Sequence, residues 1–152
     1  MTIMNIQNNG RNIKYVHTTG DTHLGGLDFD KNFTDKILDL WEEADPENHG
    51  TGLFRITARD TRIKKEQKKK KLYKLRKLAE KAKIELSTRD FAEIDLSEYY
   101  DGDEFLLNVT RDDFEECNKE FFEKTIEIVR NALKFKKIAN NMIKEILLIG
   151  GS

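Results

Sequence analysis

Hydrophobic and polar positions change period several times along this chain, and each change marks a predicted element. Residues 2–7 and 12–18 place β-branched and apolar side chains on either side of Asn8-Asn9-Gly10. An Asn-Gly turn signal between two such runs predicts a hairpin. Phe29, Phe33, Ile37, Leu40 and Trp41 then fall at helical spacing, which predicts a helix over about 29–43 with Asp28 as its cap. Pro46, Gly50 and Gly52 end it, and residues 44–60 show no period. From Thr61 a long basic helix runs to about Leu86, with its stripe at Leu72, Leu75, Ala79, Ala82 and Leu86. The lysines at 68–71 precede this stripe and read as a solvated end.

Residues 91–96 and 105–109 alternate, with Ala92, Ile94 and Leu96, then Phe105, Leu107 and Val109, on one face. Asp101-Gly102 between them predicts a second hairpin. Thr110 and Asp113 form a capping-box pattern. The helix it starts carries Phe114, Cys117, Phe121, Ile128 and Ala132 inward, continues to about Ala139 and ends at Asn140-Asn141. Residues 146–149 are continuously apolar and precede Gly150-Gly151, which predicts a buried strand running into a tight turn. The order ββααββαβ gives an α/β (mixed α+β) fold class, with a small antiparallel sheet covered by long helices.

Length and charge narrow the classes. The 152 residues suffice for one domain, with room for two subdomains. Charged residues are 36% of the chain, yet nine Phe and the clear stripes argue for a core rather than disorder. The net charge of -1 gives no global attraction to nucleic acid or membrane. No apolar run approaches a membrane span, and the N-terminus does not read as a signal peptide. Cys117 is the only cysteine, so no internal disulfide and no cysteine metal site are expected. A reducing, cytoplasmic location fits.

The candidate chemistry is sparse. Gly150-Gly151 after a buried strand suits either a phosphate cradle, since glycine lets backbone N–H groups approach an anion, or a plain turn. Gly25-Gly26 before a helix carries the same two readings. Glu80, Lys83 and Ser87 stand at i, i+3 and i+7 on one stripe of the basic helix. A carboxylate, an ammonium and a hydroxyl on one face could hold ribose hydroxyls; a solvated face with a Glu80–Lys83 ion pair explains them too. His17, His23 and His49 lack metal-ligand spacing and read as structural or surface residues. Asp28 and Asp30 read as helix-start residues. The basic tract of Lys64, Lys65, the lysines at 68–71 and Lys74 invites a nucleic-acid reading, but no aromatic side chains interleave with it.

Four segments, 20–30, 75–87, 110–116 and 146–152, stand in the order and form found in one family. They carry Gly-Asp-Thr-His-Leu-Gly-Gly-Leu-Asp-Phe-Asp, Ala-Glu-Lys-Ala-Lys-Ile-Glu-Leu-Ser and Ile-Leu-Leu-Ile-Gly-Gly-Ser among them. Together they resemble lobe II of the ATPase domain of the 70 kDa heat-shock chaperone (DnaK-type) family, an actin-like ATPase fold. The resemblance implies a division into 1–24, strands of the inner subdomain; 25–118, the peripheral subdomain; and 119–152, a helix and strand returning to the inner one.

It implies ATP or ADP as ligand, with magnesium in the complete domain. Glu80 and Lys83 would hold the adenosine, with Ser87 nearby and Ile84 packing against the base, where some relatives carry Arg. Gly26 would lie near the phosphates, and Gly150, Gly151 and Ser152 would form the adenosine and phosphate turn. The family's catalytic lysine, first phosphate loop and metal carboxylates belong to the other lobe or precede Met1. The chain alone is therefore expected to be inactive, although its parent would be an ATPase coupling ATP to protein folding and the stress response.

The resemblance also implies partners. Nucleotide exchange factors of the BAG, GrpE or large-chaperone type would grip the peripheral subdomain, with Lys74 and Asp95 as candidate contacts. J-domain co-chaperones and unfolded clients would act through the parent chain. Two departures stand out: Leu27 occupies a place where the family usually has an acid, and residues 44–60 are longer than expected. The alternatives are a stand-alone interaction module that has lost nucleotide binding, or a nucleic-acid binder using the basic helix.

Overall fold

The computed structural model describes residues 1–8, 11–46, 52, 54–100 and 104–150. Within them the fold is mixed α+β: three long helices and two separate two-stranded antiparallel sheets. Strands β1 (Thr2–Gln7) and β2 (Asn12–Thr18) form the expected first hairpin. Asn8 leaves β1 with φ 54°, a left-handed conformation that Asn tolerates, and Asn9 and Gly10 lie outside the described residues. A register shift between Ile3 and Met4 marks a bulge, because Ile3 faces His17 while Met4 faces Tyr15.

Helix α1 spans Gly26–Ala44. It begins before Asp28, which therefore sits in its first turn rather than at its cap. An acid there still faces the positive end of the helix dipole. Helix α2 (Arg62–Leu86) starts where the pattern placed it, with Thr61 Oγ1 accepting from the Lys64 N–H at 3.3 Å. Strands β3 (Phe91–Asp95) and β4 (Leu106–Thr110) pair with Ala92 opposite Val109 and Ile94 opposite Leu107. The connection includes a 3-10 turn at Ser97–Tyr99, while Asp101 and Gly102 lie outside the described residues.

Helix α3 (Arg111–Phe135) opens with a reciprocal capping box. The Asp113 N–H donates to Thr110 Oγ1 at 3.1 Å, and the Thr110 N–H to Asp113 Oδ2 at 2.9 Å. It stops four residues short of the predicted Ala139. Lys137 adopts φ 54°, its N–H donates to the Lys134 carbonyl, and the Ile138 N–H reaches back to the Leu133 carbonyl. This is a Schellman termination, built here on lysine where glycine is usual, so the sequence carried no stop signal. Asn140 and Asn141 belong to a short 3-10 turn beyond it.

The described chain divides into two compact units. One contains Met1–Gly26 with Lys119–Ser152, the other Leu27–Asn118. The second holds the main core. Phe33, Ile37 and Trp41 of α1, Leu75, Ala79, Ala82 and Leu86 of α2, and Ala92, Ile94, Leu96, Leu107 and Val109 of the β3–β4 hairpin are all buried. Phe54, from the stretch without a readable period, is buried against the Trp41 ring, 5.5 Å between centroids. Within the first unit, the His17 ring lies tilted against Phe135 at 5.2 Å between centroids, and Lys124 pairs with Asp21 at 2.7 Å.

The apolar run 146–149 is not a strand. It lies exposed, with Leu148 at 90% of its full accessible surface, and no described segment takes its backbone groups. A continuous apolar run becomes a buried strand only where neighbours pair its N–H and C=O groups and cover both faces. Among the described residues no helix is long and apolar enough to cross a membrane.

Candidate functional site

The last two turns of α2 present Glu80, Lys83, Ile84 and, at the C-cap, Ser87. These turns are fixed because Ala79, Ala82 and Leu86 anchor the opposite face in the core. Arg111 holds the end of the helix, with Nε donating to the Leu86 carbonyl at 2.9 Å and Nη2 to the Arg89 carbonyl at 2.8 Å. The first of these bonds satisfies a carbonyl that the helix C-terminus leaves without an intrahelical donor, and the second ties down the loop beyond it.

The expected Glu80–Lys83 ion pair is not what forms. Lys83 Nζ donates to Asp30 Oδ1 at 2.6 Å, with both side chains largely shielded. Glu80 Oε2 instead accepts from Lys77 Nζ at 3.1 Å in an open pair, and that hydrogen bond raises the Lys77 pKa above its ordinary value. Asp30 is thus not a helix-start residue but the buried partner of Lys83 on α1. Sequence reasoning missed it, although a signal was present: Asp30 stands three residues before Phe33 and seven before Ile37, on the buried stripe.

Ile84 is exposed at 60%, an apolar side chain set beside the shielded ammonium. Ser87 is exposed, and its Oγ donates to the Lys83 carbonyl at 3.3 Å. The stripe therefore offers a carboxylate, a fixed ammonium, a hydroxyl and an apolar surface on one helix face. That donor set fits a ribose and the flat side of a base. Gly26 and Gly150 belong to the other unit: Gly26 is the first residue of α1, and Gly150 is exposed with φ +134°, a conformation that favours glycine. Gly151 and Ser152 lie outside the described residues. Among the described residues no three His, Cys, Asp or Glu side chains gather as potential metal ligands.

Lys74 and Asp95, the candidate partner contacts, line one shallow open groove with Tyr73, Lys77, Leu78 and Glu98. Lys74 pairs with Glu98 at 3.0 Å. Hydrogen bonds from the Ser97 hydroxyl and N–H hold the Asp95 carboxyl below its ordinary pKa, so it stays charged. The lysines at 68–71 are not uniformly solvated, as had been expected. Lys68 is shielded and donates to Asp60 Oδ2 at 2.9 Å and to the Arg55 carbonyl at 2.7 Å. The Asp60 carboxylate, from the otherwise unreadable stretch, thus offsets one charge of the basic tract, and the Arg55 carbonyl helps fix it.

A family model described as "Hsp70 protein" matches residues 1–152. A ribosome-associated molecular chaperone of Nakaseomyces delphensis is 35% identical over 135 residues, covering 89% of this chain. The chain spans only 19% of the length of that relative. The family model covers every residue, and the fold is that of a partial ATPase lobe: this chain belongs to the Hsp70 family, whose members carry a chaperone ATPase domain.

Proposed function

We propose that this chain is the adenosine-binding and exchange-factor-docking part of a chaperone ATPase. The complete protein would couple ATP binding and hydrolysis to protein folding, with J-domain co-chaperones and unfolded clients as its partners. The unit Leu27–Asn118 would be the peripheral subdomain of lobe II, and the other unit the inner one. Cys117, a free thiol, fits a reducing cytoplasmic setting.

The observation that carries this reading is the face of α2. Lys83 is held in place before any ligand arrives, flanked by the Glu80 carboxylate, the exposed Ile84 and the Ser87 hydroxyl. Glu80 and Lys83 would take the ribose hydroxyls, and Ile84 would pack on the base. With Ile in place of Arg, packing supplies apolar contact without a stacking cation. ATP would bring the phosphoryl group and magnesium, and hydrolysis would need the phosphate and metal contacts of the other lobe, because in-line transfer requires clamps on both sides.

The test is ADP affinity in a complete ATPase domain carrying Glu80→Ala and Lys83→Ala. Losing two charged hydrogen-bonding groups should weaken binding by at least about tenfold. Unchanged affinity would contradict the adenosine assignment and favour an interaction module without nucleotide. For docking, Lys74→Glu and Asp95→Lys should each weaken binding of an exchange factor while leaving ADP affinity alone.

A further inference from the structure

The shielded Asp30–Lys83 pair differs from the other ion pairs along the second half of α2. Lys74–Glu98, Lys77–Glu80 and Glu85–Arg89 leave every side chain at least 39% exposed, whereas Lys83 and Asp30 are 15% and 11% exposed. Both ends of the shielded pair are rigidly mounted. The Asp30 carbonyl accepts from the buried Thr34 hydroxyl at 2.6 Å, and Phe33 and Ile37 lock α1 into the core. Leu75, Ala79, Ala82 and Leu86 lock α2.

A pair serving only to join two helices has no need of charge. Well-packed apolar residues of similar volume commonly do that as well or better, because desolvating two ions opposes folding. An ammonium has something further to offer: three donors, of which Asp30 accepts one at short, charge-assisted range. A long lysine side chain loses much rotamer freedom when it binds a ligand, and a partner that fixes it beforehand removes that cost from binding.

We infer that Asp30 is the positioning residue for Lys83, setting its ammonium to hydrogen-bond the hydroxyls of a bound ribose. This rests on the adenosine reading above and adds a second-helix residue to it. Asp30 itself makes no contact with the nucleotide in this arrangement. Its effect on binding passes through Lys83, so it should be lost when Lys83 is lost.

The experiment is a set of NMR titrations of this chain with ADP and with 2′-deoxy-ADP. Asp30→Asn should weaken ADP about tenfold, should shrink the preference for ADP over the deoxy form, and should add no further loss to Lys83→Ala. The deoxy comparison separates positioning from a general loss of packing, which would weaken both nucleotides alike. Unchanged ADP affinity in Asp30→Asn, with Lys83→Ala weakened, would overturn the inference and leave the adenosine reading standing. Unchanged affinity in Lys83→Ala would sink both. Two further measurements guard against Asp30→Asn failing to fold. The combined Asp30→Leu, Lys83→Met chain should stay folded and lose the preference for ADP; a folded double variant that kept it would refute the inference. In the unaltered chain, the Lys83 ammonium should give a protected, slowly exchanging signal before ADP is added, and a freely averaging one would contradict it.

Discussion

At the scale of single residues, burial decides what each side chain does. Phe33 is fully buried and meets Phe114 edge-to-face at 5.2 Å. Truncating it to alanine should cost about 3–5 kcal/mol, because the removed ring leaves a cavity that locked helices cannot close. Denaturant unfolding monitored at Trp41 would read this directly. Cys117 shows the same principle acting on a charge. Desolvation pushes its thiol from an ordinary value of 9.0 up to about 11. A pKa raised in the folded state means a stability contribution present below pH 9 and lost as pH rises towards 11. Alkylation of Cys117 at pH 8 should accordingly be far slower in the folded chain than in denaturant; equal rates would refute the burial. The apolar residues of this core were legible because they repeat at helical or strand period. Asp30 was not, because a carboxylate on a buried stripe finds its reason in a partner 53 positions away.

At the scale of elements, the hairpins, both long helices after residue 60 and the Thr110–Asp113 capping box were readable from local chemistry. What escaped were the devices that depend on geometry rather than residue type. The end of α3 is one: Lys137 takes a left-handed conformation with no glycine to announce it. Lys137→Gly should therefore stabilise the chain by about 1 kcal/mol, by removing the Cβ penalty of that conformation, and a thermal melt would show the rise. The end of α2 is another. Its last carbonyl, that of Leu86, is held by Arg111, 25 residues further on, which no local pattern reveals. Arg111→Ala should cost about 1–2 kcal/mol and should speed amide exchange first in the final turn of α2, beside Ser87. The run 146–149 reads as a buried strand by composition, but strand formation is a property of neighbours, and none of the described residues supplies one.

At the scale of the whole molecule, family membership turns an unremarkable helix face into a candidate ligand site. Composition and spacing alone left Glu80, Lys83 and Ser87 better explained by a solvated surface. The fold adds that Lys83 is shielded and fixed, that Ile84 beside it is exposed, and that the partner-contact candidates Lys74 and Asp95 share one groove elsewhere on the same unit. The candidate adenosine stripe and the candidate docking groove both rest on α2, so a partner gripping the middle of this helix would act on the element proposed to hold the nucleotide. The reading that singled out the stripe assigned Asp30 no part in it; that residue enters through its hydrogen bond to Lys83 across α1 and α2.

The most direct test of the adenosine reading is an amide NMR titration of this chain with ADP. The account predicts shifts concentrated at Glu80, Lys83, Ile84 and Ser87, even where affinity is only millimolar. Absence of shifts in that stripe at saturating ADP, or shifts confined to the lysines at 68–71, would contradict it.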